Sequence, residues 1–144
     1  NYPSGAMHAN VPLGGRVNRG QHAKADDEGY HFNMDGKNLI RLTQKHLDQF
    51  VQKMESHTGR KISEYDYHVT HQTSRYGNEF FQRNFNINPL TIIETLHMHG
   101  NCIAASIPLG LEKLINQEKN TKNMSVSILG TGAGLTLGSM SIRF

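Results

Sequence analysis

The sequence predicts a layered α/β domain in which helices cover a sheet. From residue 35 onward, helix-like and strand-like segments alternate. The region opens on a long amphipathic helical stripe and closes on two strand-like segments joined by a glycine-rich turn, close enough to form a hairpin.

Residues 1–30 precede that pattern. They are rich in Gly, include Pro3 and Pro12, and show no sustained period, which reads as loop with one short strand near residues 11–13. Asp35 is a suitable N-cap, and Leu39, Ile40, Thr43, Leu47, Phe50, Val51 and Met54 then recur at helical steps up to Gly59, a helix terminator. Residues 65–70 (YDYHVT) form a β-rich run and predict a strand. Residues 74–85 place Phe80, Phe81 and Phe85 on polar ground, which predicts a helix broken by Asn88-Pro89. Residues 91–96 (TIIETL) read as strand or extended chain, followed by a loop over 98–101. Residues 104–115 predict a helix with Ile103, Ile107, Leu111, Leu114 and Ile115 on one face and Pro108 confined to the first turn. A polar turn over 117–123 leads to a strand over 125–129, a glycine turn over 130–134, and a last strand over 135–143.

The 144 residues suit one domain of ordinary size. Apolar residues make up 36% of the chain, and adding the 14 glycines brings the total to about 46%, in the globular range. No apolar stretch approaches the ~20 residues a spanning helix needs. The one cysteine, Cys102, excludes an internal disulfide, which points to a reducing, cytoplasmic setting. The charge of +3 is mild and no dense Lys/Arg run occurs, which argues against nucleic acid and suits an acidic partner or an anionic substrate.

Several residues can carry chemistry. His71 follows a predicted strand, where open α/β sheets bind ligands, and can act as base or donor. The same position also suits a surface or capping histidine. Asn101 lies between a predicted strand and helix and offers a neutral NH₂ to a developing oxyanion. As a turn residue it needs no such role. Gly130, Gly132 and Gly134 let a substrate approach the backbone, or serve a tight hairpin. His97, His99 and Cys102 resemble a partial metal set without a companion pair, so no metal and no cofactor is expected. Cys102 lacks a visible base to activate it.

Four segments together resemble one family. His68-Val69-Thr70-His71-Gln72-Thr73-Ser74 resembles the PHQAN stretch of β-ketoacyl-ACP synthase III, with Thr70 in place of the usual Pro. His99-Gly100-Asn101-Cys102-Ile103-Ala104-Ala105-Ser106-Ile107-Pro108-Leu109 resembles its HGNTSAASIPLAL. The run Leu129-Gly130-Thr131-Gly132-Ala133-Gly134-Leu135-Thr136-Leu137-Gly138 resembles its terminal GaGltwGs, and Asn33-Met34-Asp35-Gly36-Lys37 its MdGk. The motifs stand in family order over residues 33–144, whereas the first 30 residues match poorly.

The resemblance implies a thiolase-like fold built of two similar α/β halves. Residues 31–144 would be the C-terminal half and residues 1–30 a loop-rich lead. It implies that His71 and Asn101 are the catalytic pair, donating hydrogen bonds to the thioester oxygen of malonyl-ACP as CO₂ leaves. The backbone N–H of Ala133, between Gly132 and Gly134, would help the oxyanion hole. Arg75 and Arg83 become candidates for binding the carrier. The family's nucleophilic Cys belongs to the other half, and Cys102 matches instead the Thr after the catalytic Asn. A chain of these residues alone would therefore not condense anything. The implied partners are an acyl carrier protein and an acyl-CoA or acyl-ACP thioester, in a full-length cytoplasmic homodimer with neither nucleic acid nor membrane. The alternative is a Cys-less partner subunit of a heteromeric condensing enzyme or related polyketide synthase. Cys102-Ile103 in place of Thr-Ser leaves the starter unit open.

Overall fold

The computed structural model describes residues 1–13, 28–118 and 121–144. They group into two compact units: Asn1–Asp48 with Thr131–Thr136, and Gln49–Gly130 with Leu137–Phe144.

Asp35 starts the long helix. Its Oδ1 accepts from the Asn38 N–H at 3.1 Å and its Oδ2 from the Asn38 amide at 2.6 Å. These bonds hold its carboxyl below the usual carboxylate range. The helix, α1, spans Gly36–Thr58 and stops at Gly59, whose φ of +67° is the left-handed conformation that closes helices. Leu47, Val51 and Met54, four and three residues apart, are buried along one stripe.

In the first unit, β1 (Ala9–Asn10) pairs antiparallel with β2 (Asn33–Met34). The strand expected near residues 11–13 is thus displaced to Ala9–Asn10. Pro12 has no N–H for a ladder, and the Leu13 N–H instead donates to Gly29 O at 2.9 Å. The rest of the expected loop, residues 14–27, lies outside the described residues. Tyr2 stacks on His46 at 3.9 Å, and its N–H donates to Leu135 O at 2.8 Å. Gly5 bridges Gly134, and a Cβ on Gly5 would stand 2.6 Å from Leu135 N, so only glycine permits this approach.

β3 (Tyr67–Thr70), in the second unit, runs parallel to β4 (Ser125–Gly132), with Val69 opposite Ile128 and Thr70 opposite Leu129. β5 (Thr136–Arg143) completes the order β3-β4-β5. The Asn123 N–H donates to Phe144 O and the Phe144 N–H to Met124 O, which closes the expected hairpin. Parallel strands need a long crossover. This one carries α2 (Arg75–Asn84), α3 (Leu96–His99) and α4 (Ser106–Gln117). Strand alternation sorts the two faces. Val69, Val126 and Ile128 form a core with Ile93, Leu114 and Met124. His68 and Ser127 face the other way, where Phe81 of α2 lies edge-on to His68 at 6.2 Å.

Three expectations are refined. Of the two readings of residues 91–96, strand or extended chain, no strand forms: Ile92 is extended and makes a single bridge with His68, and a helical turn, α3, begins at Leu96 and takes up much of the expected loop. The Gln72 side chain occupies the N–H groups of Thr95 and Leu96, so no ladder can use them. Ile103 and Ile115 are 75% and 48% exposed. α4 starts only at Ser106, so its buried stripe runs through Ile107, Leu111 and Leu114, and Ile115 falls one residue off it. The glycine turn is shorter than residues 130–134 suggest, because β4 continues through Gly132. Residues 119–120 of the expected polar turn lie outside the described residues.

Gly110 sets how closely α4 approaches β3. A Cβ there would stand 2.8 Å from Cγ1 of Val69, which is fully buried and cannot retreat. Gly110→Ala is therefore expected to lower stability by about 1–3 kcal/mol in thermal or urea unfolding. This loss outweighs the ~1 kcal/mol that alanine ordinarily adds to a helix. An unchanged or more stable variant would contradict the packing.

Candidate active site

Both residues singled out as a catalytic pair sit in the second unit, at the ends of elements. His71 follows β3 directly, and its N–H donates to Leu129 O at 2.8 Å, extending the parallel ladder by one residue. Its ring is half-buried, and burial holds the imidazole below its ordinary pKa. A hydrogen bond with the Ile103 backbone acts the other way and is the smaller effect. The ring thus lies against the loop that carries Asn101.

Asn101 follows Gly100, whose φ of +67° turns the chain out of α3. Its Oδ1 accepts from the Ile103 N–H at 2.9 Å, which fixes the amide orientation. Its NH₂ makes no hydrogen bond among the described residues and the side chain is exposed. His71 and Asn101 thus meet at the backbone of one residue, Ile103. That residue is itself unusual: a β-branched side chain at φ +52°. Such a conformation costs on the order of 1–3 kcal/mol and concentrates at functional sites.

Gln72 joins the two halves of this site. It is 1% exposed. Its Nε2 donates to Ile93 O at 2.6 Å, and its Oε1 accepts from Thr95 N at 2.9 Å and Leu96 N at 3.0 Å. Neither Gln72 nor the backbone of Ile103 stands out in the sequence as a functional element. The hints of the first are its place beside a histidine at a strand end and its match to the Gln of the PHQAN stretch, and no sequence signal reveals the φ of the second. Thr70 is buried with its hydroxyl unpartnered among the described residues.

The remaining candidates are placed as follows. Cys102 is half-buried and its thiol donates to His99 O at 3.3 Å. Among the described residues, no group of three His, Cys, Asp or Glu side chains could hold a metal ion. Arg75 and Arg83 stand on α2 on either side of Glu79, at 4.0 and 3.7 Å, with both guanidinium side chains more than four-fifths exposed. A shallow groove of about 250 Å³ beside them is lined by Tyr76, Glu79, Phe80, Arg83 and Asn84. Ala133 is exposed at the tip of the β4–β5 turn, Gly132 ends β4, and Gly134 takes φ +100° against Gly5. These three residues belong to the first unit. No described helix is long and apolar enough to cross a membrane.

Comparison with known proteins adds the following. The family described as 3-oxoacyl-[acyl-carrier-protein (ACP)] synthase III C terminal matches residues 56–144. A β-ketoacyl-[acyl-carrier-protein] synthase III of Rickettsia canadensis is 35% identical over 112 residues, which cover 77% of this chain and 35% of that protein. Its counterpart in Koribacter versatilis is 22% identical over 140 residues, covering 97% of this chain and 42% of that protein. Among solved structures, 3-oxoacyl-(acyl carrier protein) synthase III of Pseudomonas aeruginosa superposes with a TM-score of 0.80 at 23% identity, over 99% of this chain and 42% of that one. OleA of Xanthomonas campestris gives 0.80 at 22% identity, over 99% and 36%. The fold is thiolase-like, and the chain spans 35% to 42% of the length of these relatives.

Proposed function

The chain belongs to the 3-oxoacyl-[acyl-carrier-protein (ACP)] synthase III C-terminal family, and from that membership we propose that it is the decarboxylating part of a condensing acyltransferase. A cysteine outside these residues carries the acyl group as a thioester. A malonyl thioester on an acyl carrier protein then loses CO₂. The electron pair of the broken C–C bond moves into the thioester carbonyl and makes an enolate. His71 and Asn101 donate hydrogen bonds to the enolate oxygen. The enolate carbon attacks the acyl thioester and expels the cysteine thiolate, which leaves a β-ketoacyl thioester on the carrier.

The observation that supports this most is the meeting of His71 and Asn101 at the Ile103 backbone, with the Asn101 NH₂ uncommitted. Fixed donors aimed at developing negative charge stabilise it without reorganisation. Cys102 is a poor rival nucleophile: its thiol donates to the His99 carbonyl, and among the described residues no hydrogen bond ties it to a base. In the test, full-length protein carrying this chain is given an acyl thioester and malonyl-ACP. Formation of β-ketoacyl-ACP with matching CO₂ release is expected, and none from residues 1–144 alone. Absence of both products from the full-length protein would refute the assignment.

Arg75 and Arg83 are the proposed contacts for the acidic carrier. Their exposure makes the attraction dependent on salt. Raising ionic strength until the Debye length falls from about 10 Å to about 3 Å is expected to raise KM for malonyl-ACP. Reversing both charges, Arg75→Glu with Arg83→Glu, is expected to raise KM at low salt and to flatten that dependence. A salt-independent KM in the unaltered protein would exclude the docking face.

A further inference from the structure

We propose that Gln72 is the positioning residue of the decarboxylation site: its buried amide fastens the segment that delivers Asn101 to His71. The proposal rests on the roles assigned above to that pair.

Gln72 follows His71, whose backbone is pinned to β4 through Leu129 O. Its side-chain amide leaves the strand end and enters the segment 93–96. That segment is tied to β3 on both sides of His71. The Ile93 N–H donates to His68 O at 3.0 Å, and Gln72 holds Ile93 O, Thr95 N and Leu96 N. Thr95 is the N-cap of α3 and makes no side-chain cap of its own. The first N–H groups of a helix have no partner within it, and here Gln72 supplies one from a different part of the chain. From that fixed start the turn runs Leu96–His99. It closes through Gly100 N to Leu96 O at 2.8 Å, reverses at Gly100 and presents Asn101. One glutamine thus sets the register between the histidine it adjoins and the asparagine it does not touch.

The chemistry of the amide is well matched to the task. It needs a donor for Ile93 O and an acceptor for two N–H groups in the same buried place, and an amide has both. A carboxylate keeps the acceptor and loses the donor. A leucine loses both and strands three backbone groups, two of them buried. Misplacement of a catalytic group by about 1 Å can cost up to about 10² in rate.

The test compares full-length Gln72→Glu and Gln72→Leu with His71→Ala and Asn101→Ala for CO₂ release from malonyl-ACP per folded enzyme, across pH. Gln72→Glu is expected to lower kcat by about 10- to 100-fold with KM unchanged. Its deficit against the unaltered protein should shrink as pH falls, because a buried carboxyl protonates early and regains the donor for Ile93 O. Gln72→Leu is expected to show the loss without that recovery. If both folded Gln72 variants keep the original kcat while His71→Ala and Asn101→Ala lose theirs, the positioning role is wrong and the catalytic pair stands. If His71→Ala and Asn101→Ala keep normal decarboxylation, the catalytic pair itself falls, and this role with it. Should neither Gln72 variant fold, amide exchange in the unaltered protein decides. Protected Thr95 and Leu96 N–H groups are expected, and exchange as fast as in exposed loops would overturn the proposal.

Discussion

Replacing Asn101 or His71 by alanine in the full-length protein is expected to cut malonyl decarboxylation by about 10²–10³, or roughly 2.7–4 kcal/mol of transition-state stabilisation. The size follows from what each residue supplies. The enolate oxygen gains its charge only as the C–C bond breaks, so donors already in place act on the transition state more than on the substrate. Asn101 is held for this by the Ile103 N–H on its Oδ1, which commits the acceptor end of the amide and leaves the donor end available. His71 is held by its backbone bond to Leu129 O, and burial lowers its pKa. Because the two act on one oxygen, the double variant is expected to lose less than the product of the single losses. Acylation of the nucleophile forms no enolate and should suffer less. Near-normal CO₂ release from both single variants would remove the pair from the mechanism.

Acidification from pH 7 to about 4 is expected to destabilise the protein by on the order of 3 kcal/mol through His68 alone. This histidine is 1% exposed, with its Nδ1 2.7 Å from Ser127 Oγ and its ring edge-on to Tyr65 and Phe81. Burial pushes its pKa from 6.5 down to about 4. The sign follows from linkage. Between those two values the unfolded chain takes up a proton that the folded chain refuses, so folding is disfavoured more at each step downward. The full contribution is present above about pH 6.5, is lost as pH falls towards about 4, and changes no further below that. His71, shifted in the same direction, adds to the slope. Chemical unfolding of His68→Leu at several pH values should show a flatter dependence over this window, even though the stranded Ser127 hydroxyl lowers its stability at every pH. An identical slope in the variant would place the acid sensitivity elsewhere.

Much of the architecture is written locally. The first helix begins and ends where Asp35 and Gly59 put it, because capping and left-handed closure are properties of single residues. The helix after His71 begins at its Ser74 cap, whose Oγ accepts from the Gly77 N–H at 3.1 Å, for the same reason. What the sequence hides are the long-range choices. Residues 91–96 have an apolar run suited to a strand, yet an amide 23 residues upstream takes the N–H groups a strand would use. Ile103 looks like the first apolar residue of a helix, but it sits in a separate turn, Ile103–Ala105, with its side chain in solvent. In the site, His71 and Asn101 are legible as residues placed between predicted strands and helices. Their meeting at the Ile103 backbone is not, because it depends on a turn conformation that no side chain announces. The roles of Ala133, Arg75 and Arg83 rest on likeness to the family together with their exposure.

The most direct measurement separates the two halves of the chemistry. The cysteine proposed as nucleophile in the full-length protein is replaced by alanine, and CO₂ release from malonyl-ACP is followed with and without the further changes His71→Ala and Asn101→Ala. Without an acyl donor the enolate is simply protonated, so CO₂ release is expected to persist when the cysteine is lost and to disappear when the pair is lost. Release that vanishes with the cysteine alone, or that survives removal of both His71 and Asn101, would contradict the assignment of decarboxylation to this part of the polypeptide.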